Sequence, residues 1–522
     1  MKSVTEQMAV EVKIDPQDVH NQNAIRKAAL KKAGLQDTPD IRTQVVRRSI
    51  DARSRRPQFV CQVAIGDVPA EPKGSIFCPQ KLGTRRVAIV GAGPAGYFAA
   101  LTLLEKGIKP IVLERGKDVT ARRYDLKKIQ ADGIVDPHSN YCFGEGGAGT
   151  YSDGKLYTRA TKRGNVKRIL NLFIENGANP DIRIDAHPHL GSNMLPRIVQ
   201  SMRNAIEAAG GEIHFGAHIT DLIKKGDTVK GVALATGEKI DADAVILATG
   251  HSARDIFHML IRNNVPVEAK PFALGVRIEH PQSLIDRIFY HQSPRHENLP
   301  AASYRITTQV ENRGVFSFCM CPGGFIVPAS TAPGELVLNG MSMSSRSAPF
   351  ANAGLVVEIR NEDVGGDPND PLAALAFQAQ VEKDMFMAGD GISQKAPAQR
   401  VGDFMKGKIS NNLPESSYVP GTYTAPLNEL LPHNVADRLA KALSVFGKKY
   451  KGFDSNEAKM LAVESRTSSP VRIMRDRLTL EHPSVPGLFP CGEGAGFAGG
   501  IISAAIDGER VATAVANSIA TT

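Results

Sequence analysis

The sequence predicts an α/β protein with a doubly wound parallel sheet, discontinuous along the chain, an inserted α+β domain and a small N-terminal α+β domain. Three observations predict this architecture. A strand–glycine turn–helix–strand unit begins at Arg86, two more apolar strand-and-turn segments lie near 245–250 and 487–508, and the N-terminal part alternates as a separate unit. A chain of 522 residues has room for several domains, since single domains usually hold roughly 100–200 residues.

The N-terminal segment reads as strand, helix, strand, strand. AVEVKI alternates as a strand should, Pro16–Gly34 has helical periodicity, and the strand-like runs TQVVRRSID and QFVCQVAI follow. The β-α-β-β order predicts a small α+β domain over residues 1–80, ferredoxin-like in character. A linker rich in proline and glycine separates it from the next unit, which starts at residue 83.

The segment RRVAIVGAGPAGYFAALTLLEKGIKPIVLE carries the strongest motif. Gly91 permits a tight turn after the strand, Gly93 lets a pyrophosphate approach the backbone, and Gly96 lets the helix pack closely on the sheet. The helix N-terminus then faces the phosphates with free N–H groups. Glu114, about twenty residues on, can accept hydrogen bonds from ribose hydroxyls. The segment therefore predicts a Rossmann-like site for a dinucleotide.

Two distant segments indicate which dinucleotide binds. VILATG at 245–250 is an apolar strand ending in a small-residue turn, and GLFPCGEGAGFAGGIISAAIDG at 487–508 is a strand, an acidic glycine-rich loop and a helix. With the early GAGPAG and ERG motifs, these segments resemble the glutathione-reductase-like superfamily of FAD enzymes. That resemblance implies a non-covalent FAD domain built from residues 83–265 and 465–522, with a substrate or cap domain inserted over 266–464.

The resemblance also implies positions for the cofactor. The glycine-rich loop FGEGGAGTYSDGKLYTR, residues 143–159, would lie against the flavin ring, Ala217–Ile219 would reach the adenine, and Glu493 would lie near the ribityl chain or pyrophosphate. The helix after Gly500 would place its N-terminus near the flavin, where reduced flavin gathers negative charge. The predicted cofactor-binding residues are Gly91, Gly93, Pro94, Ala95, Gly96, Glu114, Arg115, Gly147, Ala148, Gly149, Lys155, Ala217, His218, Ile219, Ala248, Thr249, Gly250, Gly492, Glu493, Gly499, Gly500 and Ile501.

A closer resemblance covers most of the chain from about Gly83 onward. The motifs RRVAIVGAGPAG, ERG, FGEGGAGTYSDGKLYTR, GVRIEHP, SFCMCPGG, NGMS and CGEGAGFAGGI are similar to those of bacterial proteins described as uncharacterised FAD-dependent, or NAD(FAD)-utilising, dehydrogenases. This resemblance implies the fold and the cofactor but brings no substrate.

Candidate catalytic residues follow from chemistry alone. Arg277, Glu279 and His280 in GVRIEHP combine a cation, a carboxylate and a group that titrates near neutrality. Arg346, Arg466 and Arg472 could grip an anionic substrate. The chain has no second GxGxxG in a strand–helix context, so NAD(P)H is expected only as a transient donor. A redox protein such as a ferredoxin, or the substrate itself, is the alternative source of electrons.

The six cysteines are scattered and form no zinc-spaced cluster, so no metal site is predicted. The CxxxxC pair of dithiol reductases is absent beside the first glycine turn, which argues against disulfide reduction and for direct dehydrogenase or reductase chemistry. Cys319 and Cys321 are interpreted as two small residues on one strand face, with a redox or metal role as the alternative.

The net charge of +9 and the arginine-rich run 41–56 permit a nucleic-acid partner without requiring one. No window is apolar enough to span a membrane and no signal peptide is evident, so a cytoplasmic protein is expected. The favoured function is an FAD-dependent oxidoreductase acting on a small molecule. A flavoenzyme that modifies RNA and a non-enzymatic flavin-binding sensor are the alternatives.

Overall fold

The computed structural model describes residues 8–66, 68, 74–158, 162–367 and 369–520. Its N-terminal unit is an antiparallel sheet in the order β1-β3-β2 with one helix packed against it. The helix starts where the Asn21 side chain accepts a hydrogen bond from the Ala24 N–H, and it ends at Gly34, whose φ is +70°. The elements are β1 (Met8–Ile14), α1 (Gln22–Ala33), β2 (Thr43–Asp51) and β3 (Gln58–Ile65).

This unit has the predicted β-α-β-β order but departs from a complete ferredoxin-like fold. Over 8–66 it holds three strands and one helix, so the second β-α-β half of a ferredoxin-like fold is not there. Its apolar face packs on the inserted region, because Val12 and Phe59 belong to the same hydrophobic core as Phe272 and Leu274. Three strands cannot bury both faces of a sheet alone, so this one packs on its neighbour.

The next elements form the first part of the dinucleotide-type unit. They are β4 (Arg86–Val90), α2 (Pro94–Leu104), β5 (Lys109–Glu114), α3 (Val119–Asp132), α4 (Val166–Glu175), α5 (Leu195–Ala208), β6 (Glu212–Phe215), β7 (Ile219–Lys225), β8 (Thr228–Leu234), β9 (Lys239–Asp241), β10 (Ala244–Leu247) and α6 (Arg254–Arg262).

The inserted region, called the cap from here on, follows as a mixed sheet with helices. Its elements are β11 (Val267–Ala269), β12 (Phe272–Pro281), α7 (Gln282–Tyr290), β13 (Thr307–Val310), β14 (Arg313–Cys321), β15 (Gly324–Pro328), β16 (Leu338–Ser342), β17 (Phe350–Ile359), α8 (Ala373–Met387), β18 (Ala396–Arg400), α9 (Val401–Phe404), β19 (Thr422–Thr424), α10 (Leu427–Leu430), α11 (His433–Lys449) and β20 (Lys459–Glu464).

The chain returns through β21 (Val471–Ile473), β22 (Leu488–Pro490) and α12 (Ile501–Ala520). A five-stranded parallel sheet then has the order β22-β10-β4-β5-β6, and the seven-stranded cap sheet has the order β13-β14-β17-β12-β20-β18-β19. The outgoing β11 pairs antiparallel with the returning β21, so the chain enters and leaves the cap at one place.

The parallel sheet has its topological switch point between β10 and β4. From β4 the chain winds outward through β5 to β6, whereas β10 and β22 lie on the other side. Ligands of doubly wound sheets bind at the carboxyl ends of the strands at such a point. α2 and α12 pack together beneath it, in one apolar core with β4 and β10. None of the helices in the described ranges has the length and apolarity needed to cross a bilayer.

Candidate active site

A cleft of about 340 Å³ opens at the carboxyl ends of β4, β5 and β10. Its walls come from three parts of the chain: the first dinucleotide segment, the cap, and the loop and helix at 493–504. All of the predicted cofactor-binding residues except Gly96 and Gly492 line it. A volume of this size falls in the range of small-molecule and cofactor sites.

Three glycines of the first turn have three different roles. Gly91 has φ +108°, and a Cβ there would lie 2.4 Å from the Ala248 carbonyl oxygen. A Cβ on Gly96 would lie 1.9 Å from the Gly91 carbonyl oxygen, so Gly96 serves helix–sheet packing and is not part of the cleft wall. A Cβ on Gly93 would meet nothing within 4 Å, so this position faces open cleft.

Gly492 is also a packing residue, which corrects its predicted place in the cleft. Its φ is +76°, and a Cβ there would lie 3.0 Å from the Cβ of Ala95. Its N–H donates to the Asp507 carboxylate at 2.8 Å, and Arg475 pairs with the same carboxylate. Gly492 thus fixes the turn that leads to Glu493.

Glu114 lies at the end of β5, buried at the cleft wall. Its carboxylate accepts backbone N–H bonds from Ala92 at 3.0 Å and from Gly116 and Gly144, each at 2.9 Å. These bonds join the first glycine turn to the loop at 143–158. A carboxylate can accept about four hydrogen bonds, so capacity for a ribose hydroxyl remains.

His218, one of the residues predicted to lie near the adenine, belongs to a charged cluster with Arg115 and Asp255. Arg115 pairs with Asp255 at 2.9 Å, and His218 Nε2 lies 2.7 Å from the other oxygen of the same carboxylate. Burial alone would raise the pKa of Asp255, but His218 and Arg115 lower it below its usual value. The Arg115 guanidinium also lies 4.4 Å from the ring centre of Phe143. Asp255 was not among the predicted site residues. Its one indication in the sequence is its place at the end of ATGHSARD, the turn that leads from VILATG into α6.

The N-terminus of α12 also comes to the cleft wall. Gly499, Gly500 and Ile501 all line the cleft, as do Gly93, Pro94 and Ala95 at the start of α2. Two helices therefore present positive dipole ends to the same space. Glu493 lies 3.4 Å from His251 Nδ1.

A buried arginine that the sequence did not reveal holds the glycine-rich loop. Arg122 Nε donates to the Asn140 carbonyl at 2.8 Å, and Nη1 donates to the carbonyls of Glu145 and Gly147 at 2.8 and 3.0 Å. This fixes the short helical turn Gly147–Gly149 on the cleft wall. Arg159, the last residue of the predicted loop, lies outside the described residues.

Where the loop meets the cap, two cations share one carboxylate. Lys155 lies 3.0 Å from Asp153, and Arg346 makes a two-point contact with the same group. Burial alone would raise the pKa of Asp153, but Lys155 and Arg346 hold it well below its usual range. Lys155 lines the cleft and Arg346 does not, so the catalytic role predicted for Arg346 is replaced by that of a partner for Asp153.

The predicted cluster Arg277–Glu279–His280 does not form, and none of the three lines the cleft. Successive residues of β12 point to opposite faces, so His280 faces away from the other two. Its Nε2 bonds the Phe453 carbonyl at 2.8 Å, and burial lowers its pKa to about 4. Glu279 pairs with Lys459 at 3.0 Å. Only Arg277 approaches the cleft, from behind Cys319 and Cys321.

Of the three arginines predicted to grip an anion, Arg466 alone reaches the cleft wall. It lies 2.8 Å from Glu382 and 2.7 Å from Glu335. Burial alone would lower its pKa, but the two carboxylates raise it above its usual value. Its charge is therefore already balanced within the protein.

FAD fits the residues that are present. Gly93 faces open space, two helix N-termini meet the cleft, and Glu114 has spare acceptor capacity. Two buried polar atoms on the wall, Arg115 Nε and Ser252 Oγ, have no hydrogen-bond partner among the described residues. No group of three or more His, Cys, Asp or Glu residues in the described ranges could hold a metal ion.

Comparison with protein families agrees with this cofactor. Residues 271–467 match the family described as FAD-dependent protein, C-terminal domain-like, and 84–135 match an FAD binding domain. Residues 194–325 match FAD dependent oxidoreductases, and 7–66 match a domain of unknown function.

Individual proteins extend the comparison. The thiamine thiazole synthase of Methanococcus maripaludis is 30% identical over 189 residues, which cover 34% of this chain and 60% of that enzyme. The crystal structure of CtdE in complex with FAD aligns over 83% of this chain and 84% of that one, with 13% identity and a TM-score of 0.34. An uncharacterized protein from Clostridium beijerinckii is 41% identical over 94% of this chain and 95% of its own length. The chain therefore belongs to the same family as that protein, and it is an FAD-dependent oxidoreductase.

Proposed function

We propose that the protein transfers a hydride between non-covalently bound FAD and a small-molecule substrate held against the cap. The observation that carries this proposal is the continuity of the cleft. The same space touches Gly93 and Glu114 at one side and Phe318, Asn339 and Gly340 of the cap at the other. A substrate bound by the cap strands would thus share the space that the cofactor loops define.

The protein's own part is to bind, orient and exclude water, since FAD supplies the hydride chemistry when bound. The cap sheet closes one side of the cleft, and Arg122 and Glu114 hold the glycine-rich loop on the other. Lys155 is the cation where loop and cap meet, with its ammonium fixed by Asp153 and the Met320 carbonyl. Lys155 is therefore our candidate for orienting substrate or flavin.

An anionic substrate would have to compete for these cations. Arg115 is paired with Asp255, Lys155 with Asp153, and Arg466 with Glu382. A polar substrate of low net charge suits such a wall better, because it needs hydrogen bonds and no displaced carboxylate.

Placement in the glutathione-reductase-like superfamily belongs to the same proposal. The parallel sheet combines strands from the first segment with β22 from the last, as a three-part FAD domain requires. NAD(P)H would then act as a transient donor from the cleft mouth, with a redox protein as the other source.

RNA modification is less well supported. In the arginine-rich run, Arg48 pairs with Asp181 and Asp185, and Arg53 pairs with Asp51. Arg48 also exchanges backbone hydrogen bonds with the 184–186 segment, so it docks the N-terminal sheet on the FAD unit. Arg48 therefore has an internal structural role, whereas the Arg53 side chain is 89% exposed.

The test is an anaerobic spectrum of the purified protein before and after addition of NADH or NADPH. Flavin bands near ~450 nm that bleach on mixing support a pyridine-nucleotide donor. Bands that persist would mean that the electron donor is the substrate or a protein partner. Small-molecule reductants would then be screened. A flavin that no donor reduces would overturn the proposal in favour of a flavin-binding sensor.

A further inference from the structure

Two cysteines of the cap face the cleft. Cys319 and Cys321 both line it, and Cys319 is exposed there. Cysteine normally packs in the core as a small apolar residue, as Cys61 and Cys491 do. A thiol exposed inside a cofactor cleft is not explained by packing.

The backbone departs from strand geometry at this point. β14 and β17 slip in register between Phe318 and Cys321, and Cys319 has φ +40°. A non-glycine residue in the left-handed region carries strain, and such residues concentrate at functional sites. Both cysteines lie on β14, as predicted, but the strand is irregular between them rather than a regular face. The irregular turn places Cys321 Sγ 3.3 Å from the Cys319 carbonyl oxygen.

A buried guanidinium touches both cysteines from behind. Arg277 Nη2 donates to the Cys319 carbonyl at 2.6 Å and lies 3.6 Å from Cys321 Sγ. Asn352 and Glu464 hold the other guanidinium nitrogens, each at 2.9 Å. Gly340 makes room, because a Cβ there would lie 2.1 Å from Nη2. On the cleft side, Lys155 donates to the Met320 carbonyl between the two cysteines.

We propose that Cys319 and Cys321 are a redox-active pair that exchanges two electrons with the flavin. In one direction the two S–H bonds break, an S–S bond forms, and two electrons and two protons pass to FAD, giving FADH2. In the other direction FADH2 reduces the disulfide to two thiols. The inference rests on the proposed position of FAD in this cleft and extends it: the cap contributes a second two-electron group to the active site.

The test counts electrons and thiols in the intact flavoprotein. An anaerobic dithionite titration should take up about four electrons per FAD, two for the flavin and two for the disulfide. The chain has six cysteines, so unfolding in a thiol reagent should reveal six thiols after reduction and four after oxidation, six less the two in the disulfide. Uptake of two electrons with six thiols in the oxidised protein would overturn the proposal.

Cysteine variants identify which thiols take up the second pair of electrons. Cys319→Ser and Cys321→Ser should each lose the second two-electron step while the flavin still bleaches. Cys142→Ser is the matched control, because Cys142 lines the same cleft but lies outside the pair; it should retain four-electron uptake. Loss of the second step in Cys142→Ser would refute the assignment to Cys319 and Cys321. A protein that binds no FAD overturns the proposed function as well, whereas a two-electron flavoprotein overturns only this inference.

Discussion

Replacing Gly93 by alanine should separate cofactor binding from folding. A Cβ at this position would meet no protein atom within 4 Å. The backbone there has φ −77° and ψ −176°, which alanine adopts without strain. The free energy of unfolding of the apoprotein should therefore stay the same or rise by about 0.4–1 kcal/mol, because alanine lowers the conformational entropy of the unfolded chain.

FAD affinity should fall in the same variant. The new methyl group enters the space that we assign to the pyrophosphate, and overpacking of one methyl group costs about 1–3 kcal/mol. At 1.4 kcal/mol per tenfold change, the Kd for FAD should rise about 5- to 150-fold. The measurements are urea unfolding of the apoprotein and fluorescence titration of apoprotein with FAD.

Gly96→Ala is the matched control, because its Cβ would lie 1.9 Å from the Gly91 carbonyl oxygen. It should destabilise the apoprotein by about 1–3 kcal/mol or more. A Gly93→Ala protein that binds FAD as tightly as the unmodified chain would refute our placement of the pyrophosphate. A Gly93→Ala apoprotein destabilised as much as Gly96→Ala would refute the open geometry of the turn.

Three further predictions concern buried charges. Arg277→Met should lower the free energy of unfolding, measured by urea denaturation, by about 3–5 kcal/mol, because it leaves the Glu464 carboxylate buried and unpaired. The double variant Arg277→Met/Glu464→Gln should recover part of this loss. Burial alone would raise the pKa of Glu382, but Arg466 and Arg254 lower it from 4.5 to about 2. The free energy of unfolding of the wild-type chain should therefore fall by about 3 kcal/mol as the pH drops from 4.5 towards 2, and Glu382→Gln should not show this decrease. Burial lowers the pKa of His280 from 6.5 to about 4. The neutral imidazole should therefore contribute about 3 kcal/mol to the free energy of unfolding above pH 6.5, and this contribution should disappear as the pH falls towards 4. In His280→Gln the free energy of unfolding should change less with pH between 6.5 and 4.

Each of these has an outcome that contradicts it. An Arg277→Met protein as stable as the wild type would mean that the ion pair with Glu464 adds nothing. Equal acid sensitivity of wild type and Glu382→Gln would mean that other carboxylates dominate acid unfolding. An inflection in the pH–activity profile that disappears in His280→Gln would return His280 to a catalytic role.

The sequence alone located the loops that line the cleft, because their backbone geometry is local. Gly91, Gly93 and Glu114 occupy a tight turn, the open side of that turn and a strand end, which all lie within one β-α-β unit. Strand periodicity also located the elements of this unit, so that β5 begins and ends where the pattern predicts. The distant segments at 245–250 and 487–508 carried the same kind of local signal.

Tertiary structure alone decided the chemistry of the cap, because there the partners are far apart in the chain. Arg277 looked like part of a local cluster with His280, but strand alternation separates them, and its contacts are Glu464, Asn352 and Cys319. A charged side chain in a core is defined by the partner that neutralises it, and nothing in the local pattern names that partner. The exposure of Cys319 depends likewise on a register slip between β14 and β17, which no periodicity in the sequence encodes.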